Sequence, residues 1–134
     1  MIVRRLEEII GTERDVQAKT WNSRRLLLKR DGFGYSLHDT RIFAGTETTM
    51  WYKHHIEAVY CVTGEGELVD HETGAVHAIR PGTLYVLDRH DRHTLRAKTE
   101  LRLFCVFTPA LTGQEVHDAS GAYPPPEEAE AKAR

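Results

Sequence analysis

Long apolar runs are absent from this chain. No stretch approaches the roughly 18 apolar residues of a membrane-spanning helix, so a helical anchor is not expected. Cysteine is scarce: Cys61 and Cys105 are the two in 134 residues, each inside an apolar run. Met1–Ile10 carries Arg4, Arg5, Glu7 and Glu8 and lacks the apolar segment of a secretory signal. Both cysteines are therefore expected as reduced thiols in a cytoplasmic protein. An excess of positive charge is missing too. Net charge is −2, and the densest basic stretch, Arg24-Arg25 with Lys29-Arg30, has acidic residues around it. A nucleic-acid partner would call for a basic patch. This stretch reads instead as a solvated face with one substrate-binding arginine.

Helical periodicity is also in short supply. Residues 4–10 permit a short helix ended by Gly11. The rest consists of short runs separated by turn signals: Asp31-Gly32, Gly64-Glu65-Gly66, Glu72-Thr73-Gly74, Pro81-Gly82 and Asp88 to Asp91. That rhythm predicts an all-β barrel or two-sheet jelly roll. Strands are expected at 25–30, 34–38, 40–44, 48–53, 57–62, 66–71, 75–79, 83–87, 92–97 and 101–107. The length suits one domain with a sizeable core, taken as 1–119. Beyond it, Pro124, Pro125 and Pro126 cannot donate to a ladder, and the charged, alanine-rich remainder has little to bury. Residues 120–134 are expected to form a mobile tail, with a lid over a barrel mouth as the alternative.

What the chain does have is histidine, eight in all, with several in the informative stretch from His54 to His93. Side chains alternate faces along a strand. If 51–61 is one strand, His55, Glu57, Val59 and Cys61 share a face and His54 points away as a surface histidine. Glu57 sits among Ile56, Ala58, Val59 and Tyr60, an awkward place for a charge unless it is paired or metal-bound. A salt bridge to Lys53 or an arginine is the plainer alternative. Thr83, Tyr85 and Leu87 share a face of the next strand, and His93 opens the one after the polar turn. Carboxylate, phenol and imidazole together suit Fe(II), Mn or Zn. A free phenol ionises only near pH 10, but a divalent cation lowers that. Alone, Tyr85 would be a core aromatic.

These residues carry a resemblance. Gly45, His54-His55-x-Glu57 and Gly64, followed by Gly74, Pro81-Gly82 and His93, resemble the two motifs of the cupin superfamily. There are departures. His55-x-Glu57 fills the frame of the usual His-x-His, Cys61-Val62 takes the place of the later Glu, and Arg89-His90 replaces the usual Pro-Gly. Longer segments are more specific: Met1-Ile-Val-Arg, Trp21-Asn-Ser-Arg-Arg, Trp51 through Cys61, Pro81-Gly-Thr-Leu-Tyr and Phe107 through His117. Over roughly residues 1–120 the chain is similar to the ectoine synthase family.

That resemblance implies a cupin barrel, a homodimer and an iron-dependent dehydratase of osmolyte synthesis, an EC 4.2.1.108 hydro-lyase. The implied substrate is Nγ-acetyl-L-2,4-diaminobutyrate, cyclised to ectoine with loss of water. Glu57, Tyr85 and His93 are the implied metal ligands, for Fe(II) first and Zn, Mn or Co as substitutes. The implied substrate contacts are Trp21, Arg25, Thr40, Tyr52, Cys105 and Phe107. Cys105 and Phe107 share a strand face, which core packing would also explain. Arg25 offers a planar fork to the substrate carboxylate. Glu115 and His117, two apart, are expected to face the same way as acid/base or amine-positioning groups, with surface residues as the alternative. Tyr52 and His55 complete the catalytic set, and His38 stands near Thr40 outside it. A non-catalytic, small-molecule-binding cupin and another metal-dependent cupin enzyme, such as a dioxygenase or sugar epimerase, are the competing readings.

Overall fold

A computed structural model describes residues 1–113 and 115–125. After a single helical turn, α1 (Leu6–Ile9), the chain forms ten strands: β1 (Asp15–Gln17), β2 (Trp21–Leu27), β3 (Ser36–Ile42), β4 (Glu47–Met50), β5 (Ile56–Thr63), β6 (Gly66–Asp70), β7 (Val76–Ile79), β8 (Leu84–Leu87), β9 (His93–Ala97) and β10 (Leu101–Thr108). They pair into a six-stranded sheet, β1-β2-β3-β10-β5-β8, and a four-stranded sheet, β4-β9-β6-β7. Every pairing is antiparallel. This is the all-β, two-sheet architecture expected from the spacing of turn signals.

Alternation decides what goes inside. In β10, Leu101, Leu103, Cys105 and Phe107 are buried, and Phe104 and Thr108 face out. Leu68, Leu95, Leu101 and Leu103 belong to one core cluster with Val59, Cys61 and Ile79. Both cysteines are free thiols, as expected. The Gly64–Gly66 turn carries β5 of the larger sheet into β6 of the smaller. A Cβ on Gly64 would stand 2.1 Å from the Glu100 carbonyl oxygen, and one on Gly66 2.2 Å from that of Arg96. Glycine is required there because two backbones cross between the sheets without room for a side chain.

Three strand expectations need correction. The segment 51–55 is not strand: β4 ends at Met50 and β5 begins at Ile56. The break turns Tyr52 inward and leaves Trp51 largely outside, its indole N–H donating to the His90 carbonyl oxygen at 2.9 Å. The strands expected at 34–38 and 40–44 are one strand, β3, and the one expected at 25–30 begins earlier, as β2. The expected tail also starts too soon. Asp118 Oδ1 accepts from the backbone N–H groups of Ser120 and Ala122, Trp51 N–H donates to Gly121 O at 2.9 Å, and Ala122 and Tyr123 are buried. An aromatic ring with a cavity to fill keeps this segment on the barrel. The remainder of the expected tail, 126–134, lies outside the described residues.

A buried ion triad ties three strands of the larger sheet. Asp39 accepts from Arg24 at 2.7 Å and from Arg102 at 2.6 Å, and the side chains of Arg24 and Asp39 are almost wholly buried. Removing the shared carboxylate strands a buried guanidinium. Asp39→Ala is expected to lower unfolding free energy by about 3–5 kcal/mol in urea titration, whereas truncating the half-exposed Arg102 costs much less.

Candidate active site

The inner face of β2 and β3 is polar. Ser23, Arg25, Ser36, His38 and Thr40 all point into the barrel and are all buried. They face Cys105 and Phe107 of β10 and Glu57 of β5. Between them lies a small cavity lined by Trp21, Thr40, Tyr52, Glu57, Tyr85, Cys105, Phe107, His117 and Tyr123, with Ser23, Ile42 and Leu103 on its walls. Free space inside is about 30 Å³, the share of one water.

Glu57 is the most exceptional group in it. Burial pushes its carboxyl up to about 8, against the thiol of Cys105, which donates to it. Thr40 in turn hydrogen-bonds Cys105, whose own thiol is driven up chiefly by burial. Among the described residues no cation pairs with Glu57, so the salt bridge weighed as the plainer reading is absent there. Tyr85 stands opposite Val59 on the neighbouring strand and lines the same cavity. Burial raises its phenol well above the ordinary range, and the Glu57 charge adds to that.

His93 approaches from the other sheet. Its ring lies 5.9 Å from that of Tyr52. Nδ1 sits 2.9 Å from the Asp91 carbonyl oxygen, an acceptor, so Nδ1 carries the hydrogen. Nε2 is then a bare lone pair, buried and without a partner. A histidine that donates from one nitrogen to a backbone carbonyl and leaves the other free is oriented as a metal ligand. Tyr85 lines the inner cavity with Glu57 and an outer cleft with His93, and a carboxyl, a phenol and an imidazole together fit a hard or borderline divalent cation. Among the described residues no three His, Cys, Asp or Glu side chains converge; this set needs its phenol. Tyr85 and His93 also line an open cleft of about 610 Å³ beside β7 and β8, so Tyr85 stands between the cleft and the inner cavity.

The remaining residues separate into two groups. His117 reaches the cavity. Its Nε2 shares a hydrogen bond of 2.9 Å with the Tyr52 hydroxyl, and its ring lies 5.3 Å from Trp21 and 4.6 Å from Tyr123. Burial, with the Arg25 charge behind it, lowers its pKa to about 4. Burial brings His55 to about 4 as well. Both His55 nitrogens lack partners, and its ring meets Phe107 and Tyr123 edge-on. His54 is exposed, although it sits in the break between β4 and β5 and not on a strand.

Arg25 and Glu115 do other work in this conformation. The Arg25 fork donates to Gly113 O at 2.5 Å and Glu115 O at 2.7 Å, and its Nε to Ser23 Oγ at 3.3 Å. The carboxylate of Glu115 accepts from the backbone N–H groups of Thr112 and Gly113 at 2.6 and 2.7 Å. Neither residue lines the cavity. The expected carboxylate clamp is thus engaged with the chain's own loop, and Glu115 does not face the way His117 does. Tyr123 was missed from sequence. It stacks on Tyr52 with ring centroids 5.2 Å apart, and only its position ahead of three prolines disguised it.

Comparison with known proteins gives a consistent picture. The ectoine synthase family model matches residues 1–127. The L-ectoine synthase of Desulfatibacillum aliphaticivorans is 60% identical over 126 residues, covering 92% of this chain and 97% of that protein. That of Thermobifida fusca is 56% identical over 124 residues, covering 92% of each. The crystal structure of ectoine synthase from P. lautus superposes with a TM-score of 0.82 at 57% identity, over 84% of this chain and 81% of that one. A Klebsiella pneumoniae protein with a double-stranded β-helix domain shares the fold at a TM-score of 0.62 and 13% identity, over 83% of this chain and 87% of that one.

Glu57 makes the metal-free protein sensitive to pH in a defined direction. Its folded pKa, about 8, lies above the unfolded value of 4.5. The folded state therefore holds the extra proton, and stability falls as pH rises through that window. His55 and His117, both lowered to about 4 from 6.5, oppose this below pH 6.5 and no longer above it. Between pH 6.5 and 8 the metal-free protein is expected to lose stability with a slope of up to about 1.4 kcal/mol per pH unit. Chemical denaturation of Glu57→Gln should show that slope removed.

Proposed function

The chain belongs to the ectoine synthase family, and from that footing we propose that it cyclises Nγ-acetyl-L-2,4-diaminobutyrate to ectoine in the cavity described above. The observations that support this most are the unpartnered Nε2 of His93 and a buried Glu57 carboxyl that no cation neutralises among the described residues. In this reading Glu57, Tyr85 and His93 hold iron(II), with zinc, manganese or cobalt as substitutes. When bound, the cation supplies Lewis acidity toward the acetamide carbonyl.

The side chains supply the rest. Ring closure needs the α-amine to attack the acetamide carbon while the flexible chain is held folded. Trp21, Phe107, Ile42 and Leu103 give the apolar wall against which it folds, and a pre-organised intramolecular attack gains up to about 7–11 kcal/mol. The amine's two hydrogens must leave with the acetamide oxygen as water. His117, neutral near pH 7, takes a proton at Nε2, and the Tyr52 hydroxyl bonded to it passes one on. Arg25 and Glu115 act by fixing the loop that carries His117. The substrate is far larger than the space of one water, so Tyr123 must yield when it enters.

Incubating the iron-loaded protein with the acetylated diamine without oxygen is expected to yield ectoine. An oxygen requirement would point to an oxidative cupin, and binding without turnover to a sensory one. Alanine at Glu57 or His93 and phenylalanine at Tyr85 are each expected to reduce iron content by metal analysis; full iron in all three would overturn the ligand set. His117→Ala should lower kcat by about 10²–10⁴, whereas Glu115→Ala should first lower stability through its loop. Near-normal turnover in His117→Ala would sink the proton-transfer assignment.

A further inference from the structure

Three buried polar side chains at the back of the cavity form a chain whose hydrogens can be assigned by counting them and by asking which hydroxyl opens on the cavity. Ser36 Oγ accepts from the Leu111 backbone N–H at 3.0 Å and lies 2.9 Å from His38 Nε2. His38 Nδ1 lies 3.1 Å from Ser23 Oγ. Ser23 Oγ also accepts from Arg25 Nε–H. All four side chains are buried. His38 is neutral: burial, with the Arg25 charge and His55 close by, holds it well below the usual histidine range. It therefore carries one ring hydrogen.

Placing that hydrogen on Nε2 would make Ser36 accept twice and strand its own hydroxyl hydrogen in the interior. A stranded buried donor costs about 1–3 kcal/mol. Placing it on Nδ1 lets Ser36 donate to Nε2 and Nδ1–H donate to Ser23, and moves the surplus hydrogen from the enclosed Ser36 to Ser23, which unlike Ser36 lines the cavity, where a water or a ligand can accept it. Ser23 then has both lone pairs occupied, by His38 and Arg25. Its hydroxyl hydrogen is left over, and among the described residues no further acceptor is within its reach. Ser23 lines the cavity between Trp21 and Thr40.

We propose that Ser23 is a substrate-binding donor, its hydroxyl turned into the cavity by the Ser36–His38 pair, and that it holds an oxygen of the substrate. His38 is the positioning residue. It fixes which way Ser23 points without touching the substrate, its ring being packed edge-on against Phe107 at 5.3 Å. Carboxylate and acetamide oxygens offer the same acceptor chemistry. Because the Arg25 fork is committed to Gly113 and Glu115, a second donor at this wall meets a need that Arg25 leaves open. The proposal rests on the cyclisation reading for its ligand, but its hydrogen assignment does not.

The assignment is tested without substrate. In histidine-¹⁵N-labelled protein, the signals lost on His38→Gln substitution are expected to be those of a protonated Nδ1 and a bare Nε2. The reverse pattern overturns the proposal whatever the enzyme does. The binding role is tested by kinetics. Ser23→Ala is expected to raise KM roughly tenfold with kcat nearly unchanged, and Ser23→Thr to restore KM. An unchanged KM in Ser23→Ala, or an equal rise in Ser23→Thr, overturns it. Calorimetric binding of two truncated ligands, one lacking the acetyl group and one the carboxylate, identifies the oxygen: the ligand whose affinity no longer responds to Ser23→Ala lacks the acceptor. If wild-type protein turns nothing over while the Nδ1–H pattern holds, the cyclisation reading fails and the assignment stands.

Discussion

Arg25 carries a charge with no exposed surface, and the barrel can hold it only because the chain comes back to meet it. A buried guanidinium without acceptors would cost several kcal/mol. The acceptors here are two backbone carbonyls, Gly113 and Glu115, and the Ser23 hydroxyl. The Glu115 carboxylate closes the same loop on the N–H groups of Thr112 and Gly113 and lies 3.7 Å from Arg25. One charge therefore sets the path of the segment after β10. That path delivers His117 to Tyr52 and Tyr123 to the stack above it. Leu111 is tied to Lys29 and Ser36 before this point, and the Arg25 anchor carries the hold on to residue 115, two short of His117.

The same logic of satisfaction runs through the interior. Thr40, Cys105 and Glu57 form one hydrogen-bonded line. Ser36, His38 and Ser23 form another that ends at Arg25. Each line ends at the cavity in a group without a full complement of partners. Other buried groups are left with unpartnered nitrogens, His93 at Nε2 and His55 at both. A protein interior tolerates few such groups, and here they cluster around one small space. That clustering marks the barrel centre as a site, independently of any likeness between sequences.

How much of this could be read from sequence follows from where polarity lies. The β10 strand shows apolar residues at every second position, so its buried face was readable, and so was the inward face of β5 that carries Glu57, Val59 and Cys61. The β2 strand was placed four residues late because its inward face is Trp21, Ser23 and Arg25. A polar face turned inward erases the alternation on which strand recognition depends. The same holds for β3, split in two by the polar run Ser36 to Thr40. Turn glycines were visible, but the crossing of backbones at Gly64 was not. The roles of Arg25 and Glu115 were hidden for another reason. Their partners are backbone groups of a loop, which no residue-type pattern encodes. Tyr123 was lost because the prolines after it dominate the composition, whereas a single ring filling a cavity decides the structure.

The cover of the cavity is built in two separable parts. The first, residues 112–113 and 115–117, is bound to Arg25 and through it to the barrel wall. The second, Asp118–Ala122, is a turn whose hydrogen bonds are largely its own: Asp118 accepts from Ser120 and Ala122, and Asp118 N–H donates to Ala122 O. Its backbone tie to the barrel is the bond from Trp51 N–H to Gly121 O, beside the close approach of Gly121 to Thr49. Displacing this turn with Tyr123 breaks that bond and the ring contacts of Tyr123, including its face over the guanidinium at 5.7 Å, and leaves the hydrogen bonds of Arg25 in place. Displacing the first part would strand Arg25. Substrate entry thus has an inexpensive route that keeps His117 close to its working position, and the division between the two routes is set by where the guanidinium is anchored.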